Sequence, residues 1–212
     1  MQDLIIVCAG GFGLEAAAFI EKSLFYAAQK GEEAPFRILG FLDDNPDALE
    51  GTGVDYPVLG SISDWQPIGN ERYVLGAASP STKEKLSAML KARGCRFETI
   101  IAPWCIILPE TSFGEGCIIS AYRICSGVKL GDFVNVAGSM LCPGAEIGDF
   151  STTTGFTVVE NARIGKRVFI GSHAVVTDGV VVGDDAQISA GTIVREDVRS
   201  GATVFGCPAR EI

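Results

Sequence analysis

Leu130-Gly131-Asp132-Phe133 is followed 17 residues later by Ile147-Gly148-Asp149-Phe150, and the same rhythm continues to either side. It divides the second half of the chain into five coils, Phe113–Lys129, Leu130–Glu146, Ile147–Arg163, Ile164–Val181 and Val182–Arg199. Each coil opens with an apolar residue and a glycine: Phe113-Gly114, Leu130-Gly131, Ile147-Gly148, Ile164-Gly165 and Val182-Gly183. Four positions on, in the last four coils, stands a small or β-branched residue, Val134, Ser151, Val168 or Ala186. Inside each coil a shorter period of about six starts every short strand with an apolar residue. Three short strands per coil, turning at small residues, predict a triangular parallel β-solenoid.

The first hundred residues have another rhythm. Leu4-Ile5-Ile6-Val7 is a continuous apolar run of the kind buried in a parallel sheet. It ends in Cys8-Ala9-Gly10-Gly11-Phe12-Gly13, and Leu14–Lys30 reads as a helix. Further strands are expected at Phe36–Leu42 and Arg72–Leu75, and a helix at Thr82–Arg93 after Ser79-Pro80-Ser81. Alternating strands and helices with short connections predict a small doubly wound, Rossmann-like α/β domain over residues 1–100, with the solenoid over 101–212.

Composition narrows the function. A 47% hydrophobic chain with 20% charged residues is not a disordered one. The net charge of −9 argues against nucleic acid or an anionic membrane as partner. No apolar run approaches the roughly 18 residues needed to span a bilayer, and the start Met1-Gln2-Asp3 reads as no signal peptide. Seven scattered cysteines form neither a zinc pattern nor a disulfide framework, and no metal site is expected. Cys117, Cys125 and Cys142 fall on inward solenoid positions, where a thiol serves as a small hydrophobe. The expected location is the cytoplasm.

The glycine turn after the first strand is a candidate phosphate cradle. Gly10, Gly11 and Gly13 let a ligand approach the backbone, with Phe12 beside them, and the next helix offers unpaired N–H groups and a positive dipole end. Asp43 and Asp44, closing the second strand, would then meet a ribose hydroxyl or a base. Tight strand-to-helix turns also need glycine without any ligand, so both readings stand at this stage.

Taken together, Ala9-Gly10-Gly11-Phe12-Gly13, Phe41-Leu42-Asp43-Asp44, the two Gly-Asp-Phe repeats and the ending Phe205-Gly206-Cys207-Pro208-Ala209-Arg210 resemble the bacterial hexapeptide-repeat sugar acyltransferases. That family includes sialic-acid O-acetyltransferases and N-acetyltransferases of UDP-linked 4-amino sugars. The resemblance implies a left-handed parallel β-helix, a homotrimer, a nucleotide-sugar (UDP-sugar) held by the N-terminal domain, and acetyl-CoA along a groove between subunits. Gly155, Gly171, Gly191 and Pro208 would shape that groove. It also implies direct acyl transfer, with a histidine as general base and backbone N–H groups stabilising the oxyanion.

The chain departs from that pattern where the chemistry lies. The family's histidine precedes the second Ile-Gly-Asp-Phe, where this chain reads Leu141-Cys142-Pro143-Gly144-Ala145-Glu146. A second family histidine corresponds to Thr152, and that of the glycine turn to Phe12. His173 is the only histidine present. It is expected on the second strand of its coil, pointing outward, either as a replacement base or as a polar residue of a subunit interface. Glu146 is a second candidate base, provided its carboxylate is desolvated. Thr152 would line the acceptor pocket, while Thr153 reads as part of a β-branched ladder. Two functions remain: an acyltransferase acting on an amino sugar or a sugar hydroxyl, or a non-catalytic trimeric relative that binds a sugar nucleotide or a partner enzyme.

Overall fold

The computed structural model describes residues 1–212. The chain forms two compact units, the first running to Pro103 and the second from Trp104 to Ile212, with Ser79–Ser81 grouped with the second.

The N-terminal unit is built on β1 (Gln2–Val7), α1 (Gly11–Lys30), β2 (Phe36–Leu42), β3 (Val58–Gly60), β4 (Arg72–Leu75) and α2 (Pro80–Ala92). Its four strands pair in parallel in the order β3-β2-β1-β4. Leu4–Val7 at the centre are completely buried, as a strand covered on both faces must be. The predicted strands and helices are present, with two differences. β3, a three-residue edge strand after Tyr56-Pro57, is too short to carry a period-two pattern. Helix α1 begins at Gly11, three residues before the expected Leu14. Gly31, in the left-handed conformation, ends it by returning its N–H to the Ala28 carbonyl.

The C-terminal unit is a β-solenoid of three parallel sheets. Face one carries Ile118–Ser120, Asn135–Ala137, Thr152–Thr153, Phe169–Ile170, Gln187–Ile188 and Thr203–Phe205. Face two carries Ile106–Ile107, Arg123–Ile124, Met140–Leu141, Val158–Val159, Val175–Val176 and Ile193–Val194. Face three carries Lys129–Leu130, Glu146–Ile147, Arg163–Ile164 and Val181–Val182. The second residue of these strands points inward on all three faces, so that Val136, Leu141, Ile147 and their counterparts stack into one apolar core.

The Gly-Asp pair of the repeat has a direct cause. The Asp149 carboxylate accepts the Asp132 N–H at 3.0 Å, and Asp132 accepts the Glu115 N–H at 3.0 Å, so each coil is tied to the one before. A Cβ on Gly131 would lie 2.2 Å from the Asp149 oxygen, which excludes every side chain there. In the following coil Lys166 replaces the aspartate and pairs with Asp149 at 2.8 Å.

The cysteines are all free. Cys117 is in the core, whereas Cys125 and Cys142 sit at the corner beside it, and Cys142 is only half-buried. The inward position expected of Cys142 is therefore incomplete, because its coil turns at Pro143-Gly144 immediately afterwards. Thr153 does face inward, and its hydroxyl is satisfied by the Ser139 hydroxyl at 2.9 Å. No helix is long and apolar enough to cross a membrane.

Candidate functional site

Two places in the molecule have the geometry of a site, one in each unit. In the first, β1 ends at Val7 and Cys8 takes the left-handed conformation (φ 73°) to aim the chain at α1. Gly11, Phe12 and Gly13 lie inside the first helical turn, and the earliest intrahelical bond is Leu14 N–H to Gly10 O at 3.0 Å. No side chain caps this helix and no acidic residue stands in its first turn, so its N–H groups and positive dipole end face outward uncompensated.

The three glycines here are not equivalent. A Cβ on Gly13 would lie 2.0 Å from the Cys8 carbonyl oxygen, and one on Gly76 would lie 2.4 Å from Gly13 Cα. Gly13 is thus a packing glycine, and its candidacy as a ligand contact is corrected: it is buried between α1 and the strands. Gly10 and Gly11 are exposed, neither has a positive φ, and a Cβ on either would meet nothing within 4 Å. Neither packing nor a positive φ requires glycine there, and both positions leave the backbone open to close approach. Phe12 is half-buried beside them.

Asp43 and Asp44 are already engaged. One Asp43 oxygen accepts the Ala9 N–H at 2.8 Å and the other the Asn45 N–H at 3.0 Å, so this carboxylate shapes the glycine turn from below. Asp44 accepts the Ser61 hydroxyl and the Ser63 N–H, which hold it below the usual carboxylate range. Burial, with the two aspartates nearby, pushes the Cys8 thiol up to about 11, so it is no nucleophile. Replacing Gly10 and Gly11 by alanine is expected to leave the thermal midpoint nearly unchanged, since the gain of up to about 1 kcal/mol inside the helix at position 11 offsets the loss of a favourable N-cap glycine at position 10. The same variant is expected to weaken nucleotide diphosphate binding at least tenfold in a calorimetric titration.

The second place is the corner between faces one and two of the solenoid. Three residues, Ala137–Ser139, turn this corner between the register positions of Val136 and Met140, where four, Thr154–Thr157, turn it in the next coil. Ser120–Tyr122 is likewise one residue short. The shortened corners leave a groove of about 520 Å³ whose lining includes Trp104, Ala121, Tyr122, Gly138, Met140 and Phe156. Its lining is mostly apolar, because the Ser120 and Thr157 hydroxyls donate to the Val136 and Gly171 carbonyls. Three aromatic rings are left largely open around it: Trp104 is 45% exposed, Tyr122 69% and Phe156 73%. Single exposed apolar residues are ordinary, but a cluster of this kind marks a binding surface.

His173 stands beside this groove, though not on a strand as expected. It occupies the corner turn between Phe169–Ile170 and Val175–Val176, is exposed, and has φ 61°. The same corner position is Gly138 in one coil, Phe156 in the next and Gly191 in the coil after His173, all left-handed. Phe156 and His173 thus adopt, without being glycine, a conformation that costs roughly 1–2 kcal/mol each. Their rings stack at 4.9 Å between centroids with planes 18° apart. Neither ring nitrogen has a hydrogen-bond partner, so the stack alone orients the imidazole.

The other expected site residues are dispersed. Glu146 lies on face three, away from His173, and pairs with Lys129 at 2.8 Å. The Lys129 ammonium holds this carboxylate below its ordinary range, the opposite of what a base needs. That corrects its candidacy. Thr152 has no exposed surface and so lines no acceptor pocket in this chain. Gly155, Gly171 and Gly191 do share the His173 corner, but a Cβ on Gly171 would meet Ala190 N at 2.5 Å, so Gly171 serves packing. Pro208 belongs to a separate depression with Arg195, Arg199 and Arg210. A further notch of about 370 Å³ opens at Gly144, Glu146, Asn161 and Arg163, where Glu160–Ala162 again turns a corner with three residues rather than four. Sequence reasoning missed Trp104, Tyr122 and Phe156 because they belong to the corners, outside the strand period.

Residues 161–196 match the family model described as the hexapeptide repeat of succinyl-transferase. The solenoid thus carries a hexapeptide repeat over those residues. The acetyltransferase domain of PglB from Neisseria gonorrhoeae is 22% identical over the whole of both chains, with a TM-score of 0.82. WeeI from Acinetobacter baumannii is 26% identical, again over both full chains, with a TM-score of 0.82. A histidine-to-asparagine variant of perosamine N-acetyltransferase from Caulobacter crescentus, solved with CoA and GDP-perosamine, is 20% identical. The match covers all of this chain and 97% of that one, with a TM-score of 0.81. No protein of curated function matches the sequence. The chain thus shares its fold with these solved structures.

Proposed function

We propose that this protein is a CoA-dependent acyltransferase whose acceptor is a nucleotide-linked amino sugar. The observation that carries the reading is the presence, in one chain, of an uncapped helix start with two otherwise unexplained glycines and a hexapeptide-repeat solenoid. The Rossmann-like N-terminal unit holds the nucleotide diphosphate at Gly10 and Gly11, with Asp43 fixing the loop beneath. Acetyl-CoA is the donor, as in the CoA and acetyl-CoA complexes of similar structures. A UDP-linked or similar sugar is the acceptor, and the free thiols fit a cytoplasmic reaction.

In this reading the acceptor amine attacks the thioester carbon, His173 takes the proton lost by nitrogen and passes it to the departing sulfur as the C–S bond breaks, and CoA leaves as the thiol. An amine needs less help than a hydroxyl, so positioning supplies much of the rate. The working unit is a homotrimer. Outward positions on face two are apolar in five of six coils (Ile106, Met140, Val158, Val175, Ile193), whereas face three presents Lys129, Glu146 and Arg163. An apolar sheet face of this length requires a cover.

A second reading, a non-catalytic nucleotide-sugar binder, is supported by Leu141–Glu146, which holds no histidine where the resemblance to the sugar acyltransferases implies one. Thiol release from acetyl-CoA, measured against a panel of nucleotide-linked 4-amino sugars, separates the two. Release that requires both substrates supports the transferase, and donor binding without release across the panel supports the binder.

A further inference from the structure

We propose that the stacked pair Phe156–His173 is a platform for a nucleobase, which lies in the groove against the free face of Phe156. The proposal rests on the reading above, in which both substrates are nucleotides, and adds to it where one base is held. His173 covers one side of the Phe156 ring, and Phe156 lines the groove whereas His173 does not. Two bulky residues are kept left-handed in a column whose neighbours, Gly138 and Gly191, are glycine. Phe133 and Phe150 hold the same conformation elsewhere in the solenoid, but Phe133 is buried by packing whereas Phe156 is 73% exposed, so packing does not account for its ring. Gly138 supplies no ring at its own step, so the stack stops at Phe156 and a gap of one coil, about 4.8 Å, follows. A planar heterocycle seated there continues the stack at the spacing that Phe156 and His173 already keep.

The chemistry of the lining agrees. With the Ser120 and Thr157 hydroxyls turned to backbone carbonyls, the groove offers a base mainly faces, and the Tyr122 phenol is the one hydroxyl left for an edge. Stacking of that sort is tolerant of base identity. An aliphatic chain would need neither the parallel rings nor their strained backbone.

The base belongs either to the adenine of the donor or to the acceptor nucleotide, and one variant distinguishes them. Phe156→Gly keeps the left-handed turn without strain and removes the platform, so its thermal midpoint is expected to equal or exceed that of the wild type. Titrations of CoA, 4′-phosphopantetheine, UDP and GDP into both proteins are then compared. A loss of about tenfold for CoA with phosphopantetheine unchanged places the adenine on Phe156. A similar loss for UDP and GDP with CoA unchanged places the acceptor base there. Phe156→Tyr is expected to retain the affinity in either case. Unchanged affinities for all the nucleotides overturn the proposal, as does equal weakening of CoA and phosphopantetheine. A changed sedimentation coefficient with intact nucleotide affinity also overturns it and makes the ring a subunit contact. If the wild type binds neither CoA nor a nucleotide diphosphate, the acyltransferase reading fails along with the platform.

Discussion

Gly13→Ala is expected to destabilise the N-terminal unit by about 3 kcal/mol or more, at the upper end of what overpacking costs. The added carbon would sit 2.0 Å from the Cys8 carbonyl oxygen, and neither side of that contact is a flexible side chain that can swing away. Gly76, whose own Cβ would strike the Gly13 backbone, closes the contact from the neighbouring strand. Relief would require α1 to move off the sheet, separating Ala16, Ala17 and Ile20 from their core partners. The measurement is urea unfolding followed by Trp65 fluorescence in a Trp104→Phe background, since the chain has two tryptophans and Trp65 belongs to the N-terminal unit. A midpoint within error of the parent would show that the helix and strand are not held as tightly as described. The contrast with Gly10 and Gly11, whose alanine variants are expected to fold normally and lose ligand, separates a structural glycine from a functional one within four residues.

His173→Asn is expected to lower turnover about a hundredfold or more, the usual loss when a general base is removed. Asparagine is a deliberate choice. It tolerates the left-handed conformation at this corner, so the variant keeps the turn while losing the ability to take a proton. Nucleotide and CoA affinities should change little, which puts the loss in kcat. An unchanged rate would remove His173 from the mechanism and leave acyl transfer to substrate positioning alone.

How much of this was legible in the sequence depends on which contacts a residue serves. The solenoid was readable because its core is periodic: Val136, Leu141 and Ile147 recur at fixed steps, and each must face inward. β1 and β2 were readable for the same reason, as apolar runs buried on both sides. The groove was not, because it arises from absence. Coils of 17 rather than 18 residues are each missing one corner residue, and the missing residues open the notches at Gly138 and Asn161. The repeat length gave that signal, though not the corner at which each coil is short. The engagements of Glu146 and Asp44 were hidden for a different reason. Their partners, Lys129 and Ser61, lie 17 residues away in sequence and were invisible until the chain was folded. Gly13 was grouped with Gly10 and Gly11 because composition cannot tell a glycine pressed against a carbonyl from one facing open space.

Binding of acetyl-CoA to the purified protein, followed by titration calorimetry, tests the central claim most directly. The account predicts saturable binding near one donor per subunit, unaffected by the Gly10 and Gly11 substitutions that are expected to weaken nucleotide diphosphate binding at the other unit. No heat of binding at millimolar acetyl-CoA would contradict it and leave a nucleotide-binding solenoid without transferase activity.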